Sequence, residues 1–412
     1  MGRDQRVPPV AQGSGKTDMS VRARTIAFFL PQFHTIPEND RWWGPGFTEW
    51  TNVRRARPAF SGHDHPRRAG PLGEYDLRDE SVLHAQAALA VESGIDAFCI
   101  YYYWFSGKRL LEAPLDLYLK SGPDFPFCIS WANENWSRRW DGKDHQVLIS
   151  QEYDEGTAAE VFRDMLKYLS DPRYLRVDSR AVLVVHRVDH IPHAAKLAIA
   201  WRRIAREAGI GELYLIAAET RRHIDPRPVG FDAVAEFPPV GANTLGSALL
   251  RPPPRLDAKF RGRLMSYERT ARRFMSRRPA EFRRHPGVMP GWDNSARRGP
   301  NATVYVDASP QRYSQWLAHA RDAENRHGKD GLVFINAWNE WAEGAYLEPD
   351  ASHGDEYLSA TRPDYAWRAI PSKRPVGMPS VAWLRSTALA AAASALNAGR
   401  WLSERLRTSI DK

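Results

Sequence analysis

Two glutamates three residues apart, Glu340 and Glu343, are the side chains of this sequence best suited to carry out chemistry, and Trp338 and Trp341 flank them. Cleaving a glycosidic bond requires one protonated carboxyl group that protonates the departing oxygen. It also requires a second, ionised carboxyl group that attacks, accepts a proton or stabilises charge. Nearby indoles and the repulsion between two carboxylates would separate the two pKa values. Acidic residues with this spacing can also simply favour the start of a helix, but tryptophan has no capping role. The pair therefore predicts a site for glycoside chemistry.

The elements that must position this pair are short, β-rich apolar runs separated by segments with helical periodicity. Eight runs are predicted as strands: residues 25–30, 97–102, 127–131, 181–185, 213–217, 233–237, 287–291 and 332–337. Helices are predicted between them, among others at residues 81–93, 157–169, 194–208 and 310–326. Repeated strand–helix units predict parallel strands. Eight of them, with no Gly-rich phosphate loop after the first, favour a closed (β/α)₈ TIM barrel over an open sheet.

Polar or aromatic side chains follow all eight predicted strands. Barrel enzymes build their sites from the C-terminal ends of the strands and the loops after them. We therefore expect a substrate cavity at this end of the barrel. In chain order the strand ends carry Gln32, His34, Tyr103, Trp104, Asn133, Glu134, His186, Arg187, Glu219, Glu236, Trp292, Asp293, Asn294, Asn339 and Glu340.

Tryptophans are concentrated in the same segments. Ten of the fifteen lie there: Trp42, Trp43, Trp50, Trp104, Trp131, Trp136, Trp140, Trp292, Trp338 and Trp341. Indole faces stack on the C–H faces of sugar rings, and the indole N–H can bind a hydroxyl group. Any one of them could instead pack a loop onto the barrel rim, but the cluster as a whole predicts a carbohydrate-binding cleft. Trp43, Trp50, Trp104, Trp131, Trp136, Trp292 and Trp341 are the predicted sugar-binding tryptophans.

Length and composition fit one barrel domain with two tails. The 412 residues are 43% hydrophobic and 26% charged, which suits a soluble domain. We expect a disordered tail at residues 1–22, the barrel at 23–370, and a basic, Ala/Leu-rich helix or tail at 371–412. The N-terminal segment has no apolar signal region, and Cys99 and Cys128 lie within apolar strand-like runs. These features predict buried thiols and a cytoplasmic protein.

The net charge of +9 suggests either an anionic partner or a solvated surface. Nucleic acid is not expected, because the basic residues are scattered and no nucleic-acid-binding module is present. Residues 381–410 can form a basic amphipathic helix. That helix could pack on the barrel, or it could bind the surface of the inner membrane as a peripheral contact.

Five motifs together resemble a known family. Residues 340–344 (Glu-Trp-Ala-Glu-Gly) are similar to the catalytic segment of family 99 glycoside hydrolases, which are retaining endo-α-mannosidases and mannanases. The set resembles more closely the bacterial WbsX-type proteins, a relative of that family usually described as polysaccharide-biosynthesis glycosyltransferases. The other WbsX-like motifs are residues 29–34 (FLPQFH), 43–50 (WGPGFTEW), 101–104 (YYYW) and 131–136 (WANENW). The resemblance extends over residues 25–370.

The resemblance to the hydrolases implies roles for the pair. Glu340 would act as a base on the sugar 2-hydroxyl and give a 1,2-anhydro intermediate, and Glu343 would act first as acid and then as base. No metal and no organic cofactor is implied. Ala342 stands where a histidine is usual between the two glutamates. The leading hypothesis is a retaining glycosidase-type enzyme for a bacterial surface polysaccharide or its precursor. The alternatives are an O-antigen or capsular glycosyltransferase and a non-catalytic sugar-binding barrel.

Three other positions have residue types suited to catalysis, sugar binding or metal binding. Glu134 could replace Glu343 as the acid, and Glu49, between aromatic residues, is expected to bind a sugar hydroxyl. The segment His63-Asp64-His65 has residue types that bind metals. Its proline neighbour predicts an exposed loop without a metal.

Overall fold

Parallel pairing joins eight strands into a nearly closed ring. The structure is a computed structural model that describes residues 22–138, 143–153, 155–220, 224–365, 383–392 and 394–395. The barrel strands are β1 (Arg24–Phe29), β2 (Ala97–Phe105), β3 (Phe127–Trp131), β4 (Arg180–Val185), β5 (Leu213–Glu219), β6 (Ala233–Glu236), β7 (Arg284–His285 and Gly287–Val288) and β8 (Leu332–Ile335). Each strand pairs in parallel with the next, and β8 pairs with β1. The predicted (β/α)₈ TIM barrel is thus confirmed.

The seventh strand is the one irregular member of the ring. Its first part pairs with β6 and its second part pairs with β8, so the barrel contains nine parallel segments. Pro286 separates the two parts because proline has no N–H with which to continue a strand ladder. The predicted strand at residues 287–291 therefore begins three residues early, at Arg284, and ends at Val288.

The strands are apolar on both faces because one face fills the barrel and the other packs against helices. All residues of β3 and β5 are buried. The helices are α1 (Pro37–Trp43), α2 (Glu49–Arg55), α3 (Glu80–Glu92), α4 (Ala113–Ser121), α5 (Glu155–Leu169), α6 (Ala194–Glu207), α7 (Tyr267–Met275), α8 (Ser295–Arg298), α9 (Pro310–Asn325) and α10 (Glu356–Thr361). The four helices named from the sequence correspond to α3, α5, α6 and α9 within one or two residues, the usual uncertainty of helix ends.

Most of the two predicted tails lies outside the described residues, at 1–21, 371–382, 393 and 396–412. Residues 383–392 are helical and contact the barrel flank. Ser386 Oγ accepts a hydrogen bond from the Leu264 backbone N–H at 2.7 Å, and Trp383 packs against an apolar cluster that contains Phe260 and Val304. Membrane contact by the rest of this tail remains a prediction. Among the described helices, none has the length and apolar character needed to cross a bilayer.

Asn339 closes the ring behind the last strand. Its Oδ1 accepts a hydrogen bond from the Leu30 N–H at 2.7 Å, and its Nδ2 donates to the Leu30 carbonyl at 3.0 Å. The side chain is fully buried. It therefore replaces two backbone hydrogen bonds at the point where β1 and β8 separate, and this explains why a strand-end asparagine stands at this position.

We expect Asn339→Ala to lower the free energy of unfolding by about 2–4 kcal/mol, because the Leu30 N–H and carbonyl would both be left buried without partners. Denaturant unfolding followed by circular dichroism measures the change. Asn301→Ala, at an exposed position, is the matched control. A loss below about 0.5 kcal/mol, the range of neutral surface substitutions, would contradict the proposed role of the Asn339 hydrogen bonds.

Candidate active site at the C-terminal end of the barrel

A pocket of about 460 Å³ opens at the C-terminal ends of the strands, and Glu340 and Glu343 both line it. We call it the main pocket. Six more of the residues predicted from the sequence line it: Gln32, Tyr103, Glu134, Trp136, His186 and Trp292. Lining residues that were not predicted as substrate-binding are Tyr101, Ala132, Asn135, Phe237, Val240, Asn294, Arg297 and Arg298. The pocket thus combines aromatic walls with several charged groups.

Eleven predicted site residues do not line this pocket: His34, Trp43, Glu49, Trp50, Trp104, Trp131, Asn133, Glu219, Glu236, Asn339 and Trp341. Several are buried behind its wall. The Trp50 indole donates to the Tyr75 carbonyl at 2.9 Å, and the Trp341 indole donates to Glu348 Oε2 at 2.6 Å. Their polar atoms are already used by the protein, so these indoles support the loops that form the pocket.

Asn133 and Trp131 also have internal partners. Asn133 Oδ1 accepts from the Arg187 N–H at 2.7 Å, and its Nδ2 donates to the Arg187 carbonyl at 2.9 Å. The Trp131 ring packs against Trp201 with 5.6 Å between ring centroids. His34 is buried, and desolvation lowers its pKa to about 4. It is therefore neutral at pH 7.

Glu219 and Glu236 each form an ion pair with Arg277. Arg277 donates to Glu219 Oε2 at 2.6 Å and to Glu236 Oε1 at 2.7 Å. Glu236 Oε2 also accepts from the Gly287 N–H at 3.2 Å. Both were expected in the substrate cavity because they lie at strand ends, but their carboxylates bind Arg277 and neither lines the main pocket.

Arg297 is the centre of the main pocket's charge distribution. Its Nη2 donates to Glu49 Oε1 at 2.6 Å and to Glu340 Oε2 at 2.8 Å, and its Nη1 donates to Glu343 Oε1. We call these four residues the carboxylate cluster. Arg297 was not predicted from the sequence. The only signal was its position on a short segment directly after the strand-end residues that begin with Trp292.

The carboxylate cluster contains three carboxyl groups and one guanidinium group. Burial raises the pKa of Glu340 to about 8, Arg297 opposes this shift, and the nearby charges of Glu343 and Glu49 add to it. Burial likewise raises the pKa of Glu49, against the effect of Arg297. With a pKa of about 8, the Glu340 carboxyl group is mostly protonated at pH 7.

A second cluster lies behind the carboxylate cluster. Asp293 Oδ2 is 2.7 Å from His63 Nε2, 2.7 Å from His65 Nε2 and 3.0 Å from Arg67 Nη2. Asp293 Oδ1 accepts from the Ser295 N–H at 3.0 Å. We call these residues the Asp293 cluster. The two histidine side chains are buried, so the prediction of an exposed loop is wrong for this segment. The cause is Asp293, a buried hydrogen-bond partner that is distant in sequence.

The hydrogen bonds of the Asp293 cluster argue against a metal ligand at His63. His63, His65 and Asp293 could together surround an ion. His63 Nδ1, however, accepts a hydrogen bond from the Ala59 N–H at 3.0 Å. A neutral imidazole then carries its proton on Nε2, which faces Asp293 and cannot offer a lone pair to a metal. His63 thus fits a hydrogen-bond donor to a carboxylate.

The Asp293 cluster positions the catalytic candidates. The Asp293 N–H donates to the Glu343 carbonyl at 2.6 Å, and Asp293 Oδ1 binds the first residue of α8, the helix that carries Arg297. The same residue therefore fixes the backbone of Glu343, a candidate catalytic residue, and the helix that carries Arg297. Asp293 was noted in the sequence only as a polar strand-end residue.

TIM-barrel enzymes have their active sites at the C-terminal ends of the strands, and the charged main pocket lies at this position. A family model described as "Glycosyltransferase WbsX" matches residues 25–361, which confirms the family resemblance seen in the sequence. The chain belongs to this family.

Two curated relatives come from Xanthomonas campestris pv. campestris, strains ATCC 33913 and B100, and both are named "Uncharacterized protein WxcX". Each is 46% identical over 344 residues, which covers 82% of this chain and 49% of the relative. The chain thus spans about half the length of these relatives.

Two solved structures share the fold. The family 99 endo-α-mannosidase of Bacteroides thetaiotaomicron aligns with a TM-score of 0.51 and 16% identity, covering 82% of this chain and 95% of that one. A "Glycoside hydrolase-like protein" aligns with a TM-score of 0.51 and 14% identity over 88% and 98% of the two chains. At this identity the likeness concerns the barrel architecture.

The buried Glu340 should make stability depend on pH. Its pKa is about 8 in the folded protein against an ordinary 4.5. Between these pH values the folded state retains a proton that the unfolded state has released, so the free energy of unfolding falls as pH rises. We expect Glu340→Gln to reduce this slope and to be more stable than wild type at the upper end of the range. Denaturant titrations at several pH values measure it, with the exposed Glu92→Gln as control. An unchanged slope would contradict the raised pKa.

Proposed function

We propose that this protein is a carbohydrate-active enzyme that cleaves a glycosidic bond of a bacterial surface polysaccharide or of its precursor by retaining glycosidase-type chemistry. One observation carries the proposal: two carboxyl groups, Glu340 and Glu343, meet on one guanidinium group inside a pocket with aromatic walls. Tyr103, Trp136 and Trp292 offer rings on which a sugar can stack.

The proposed roles are Glu340 as base on the sugar 2-hydroxyl and Glu343 as acid and then base. A pKa of about 8 leaves about a tenth of Glu340 ionised at pH 7. This pKa also makes the ionised carboxylate a stronger base for a weakly acidic hydroxyl, since a catalytic pKa near the working pH is favourable. Glu340 gains a proton in the same step in which Glu343 loses one. Arg297 contacts both, so the pair keeps a constant charge beside it.

Transfer from an activated sugar is the second candidate. The family description names a glycosyltransferase, and Arg298 lines the main pocket beside Arg297. Two guanidinium groups can stabilise a phosphate leaving group. In that case the leaving group would need no proton, and Glu343 would act as the base for the sugar acceptor.

The two candidates differ in their substrates and products. We expect the purified protein to convert members of a panel that contains α-mannosides, other oligosaccharides and sugar nucleotides, with products identified by mass spectrometry. α-Mannosides are included because the Bacteroides neighbour is named an endo-α-mannosidase. Free sugar from oligosaccharides supports hydrolysis, and a nucleoside diphosphate released together with a longer glycan supports transfer. Binding without any product would favour a sugar-binding barrel.

The carboxylate pair is tested by Glu340→Gln and Glu343→Gln. Each should lower turnover by roughly 10²-fold or more, because acid–base assistance contributes about that factor, while sugar binding should persist. Glu343→Gln should slow substrates with poor leaving groups most. Glu92→Gln should retain full activity. If Glu343→Gln stays within about threefold of wild type on a natural substrate, far below that factor, the acid is another residue. Glu134, on the same pocket and bound to Arg187 at 2.6 Å, is then the next to substitute.

Arg297 should set the pH dependence of the reaction. Arg297→Met removes the cation that opposes the raised pKa of Glu340, so the alkaline shift of the pH–rate profile should increase and kcat at pH 7 should fall. Arg297→Lys, which keeps the charge, should restore part of both. The exposed Arg326→Met is the control. An Arg297→Met profile that coincides with the wild-type profile would contradict this role.

A further inference from the structure

A second cavity lies directly beside the main pocket. It has a volume of about 210 Å³, and Trp292 lines both spaces. Gly344, the residue after Glu343, forms part of its floor. We call it the side cavity. Of the residues predicted to bind sugar, only Trp292 lines the side cavity, and neither Glu340 nor Glu343 lines it.

We propose that the side cavity binds one neutral or amino sugar ring of the substrate, on the Glu343 side of the bond that reacts. The inference rests on the proposed function, since it extends the same saccharide beyond Glu343. The volume lies below the roughly 300–1,000 Å³ of pockets for drug-sized ligands, so it suits a single ring better than a chain.

Aromatic and hydrogen-bonding groups are combined in its walls. Phe60, Trp292, Tyr305 and Tyr357 contribute rings, and Asp64 and His353 contribute polar atoms. Sugar sites use this combination, because rings stack on C–H faces while carboxylates accept from hydroxyl groups. Asp64 is half-buried, and within the described residues its Oδ1 accepts a long hydrogen bond of 3.1 Å from Ser352.

The charge of the side cavity selects the class of sugar. Four aspartates line it, at positions 64, 293, 307 and 350, against one arginine, Arg67, and two histidines, His63 and His353. Arg67 is already bound to Asp293 at 3.0 Å. Uronic acids, phosphorylated sugars and other anions would meet excess negative charge, whereas hydroxyl and ammonium groups would find acceptors.

The backbone that follows Glu343 reaches the side cavity at Gly344. Gly344 has a positive φ of 58°, and a Cβ atom there would lie 2.5 Å from Arg67 Nη1. The chain can therefore turn sharply between a carboxylate that faces the main pocket and a backbone that faces the side cavity. A saccharide that passes Glu343 over Trp292 would place its next ring in the side cavity.

Ala308→Tyr tests the proposal, because Ala308 lines the side cavity and is only partly buried, so that a larger side chain fills the space. Binding is measured in the Glu340→Gln background to prevent turnover. The probes are neutral, amino and uronic saccharides from mono- to tetrasaccharide, first by saturation-transfer NMR and then by calorimetry. We expect about a tenfold gain in affinity on adding the ring that reaches the side cavity, and loss of this gain in Ala308→Tyr. Ala258→Tyr, at an exposed alanine, should keep it.

Asp64→Ala is the second variant, with the exposed Asp124→Ala as its control, and it should reduce the same gain if Ala308→Tyr does not fold. A gain that survives both changes, or a preference for uronic saccharides, overturns the side-cavity proposal alone. Binding with the expected chain-length gain but without turnover by wild type overturns the proposed activity alone. If no saccharide of any class binds, both proposals are wrong.

Discussion

The buried contact between Arg297 and three carboxyl groups is the constraint on which the site depends. Burying ions costs several kcal/mol for each ion unless their partners are held in good geometry. Glu49 begins α2, Arg297 lies on α8, and Glu340 and Glu343 follow β8. The three segments can approach one another only where all the hydrogen bonds form together. Displacing any one of these segments would leave a buried group without its hydrogen-bond partner, and the free-energy cost of this keeps the site in one arrangement.

The Asp293 cluster, which lies behind the carboxylate cluster, also holds the segments of the site in place. One carboxylate oxygen meets two imidazoles and a guanidinium group, and the other binds the start of α8. A full negative charge is favoured there, because Arg67 and the hydrogen bonds from His63 and His65 outweigh desolvation and lower the pKa of Asp293 well below its usual value. The geometry of Glu343 therefore rests on a carboxylate that stays ionised across the physiological pH range.

The barrel could be predicted from the sequence because every strand except β7 is a continuous, largely apolar run, which has few alternatives to a place inside a barrel sheet. The glutamate pair was also evident, since its residue types and spacing lie within one segment. Arg297 and the His63–Asp293 contact could not be predicted, because they join residues more than forty positions apart. The tryptophans show the same limit: Trp136 and Trp292 line the main pocket, whereas Trp50 and Trp341 support its wall. The same indole serves either purpose, and only its neighbours decide.

The division of β7 at Pro286 has a consequence for the motions of the barrel. Along β6 the ladder covers only two residue pairs, and the next N–H, of Gly287, binds the Glu236 side chain. Between β2 and β3, by comparison, five residue pairs are joined. Local opening requires the least energy where the fewest hydrogen bonds must break. The ladder between β7 and β8 likewise covers two residue pairs. The barrel wall should therefore open most easily on both sides of β7, and the amide protons there should be the first in the wall to exchange with deuterium.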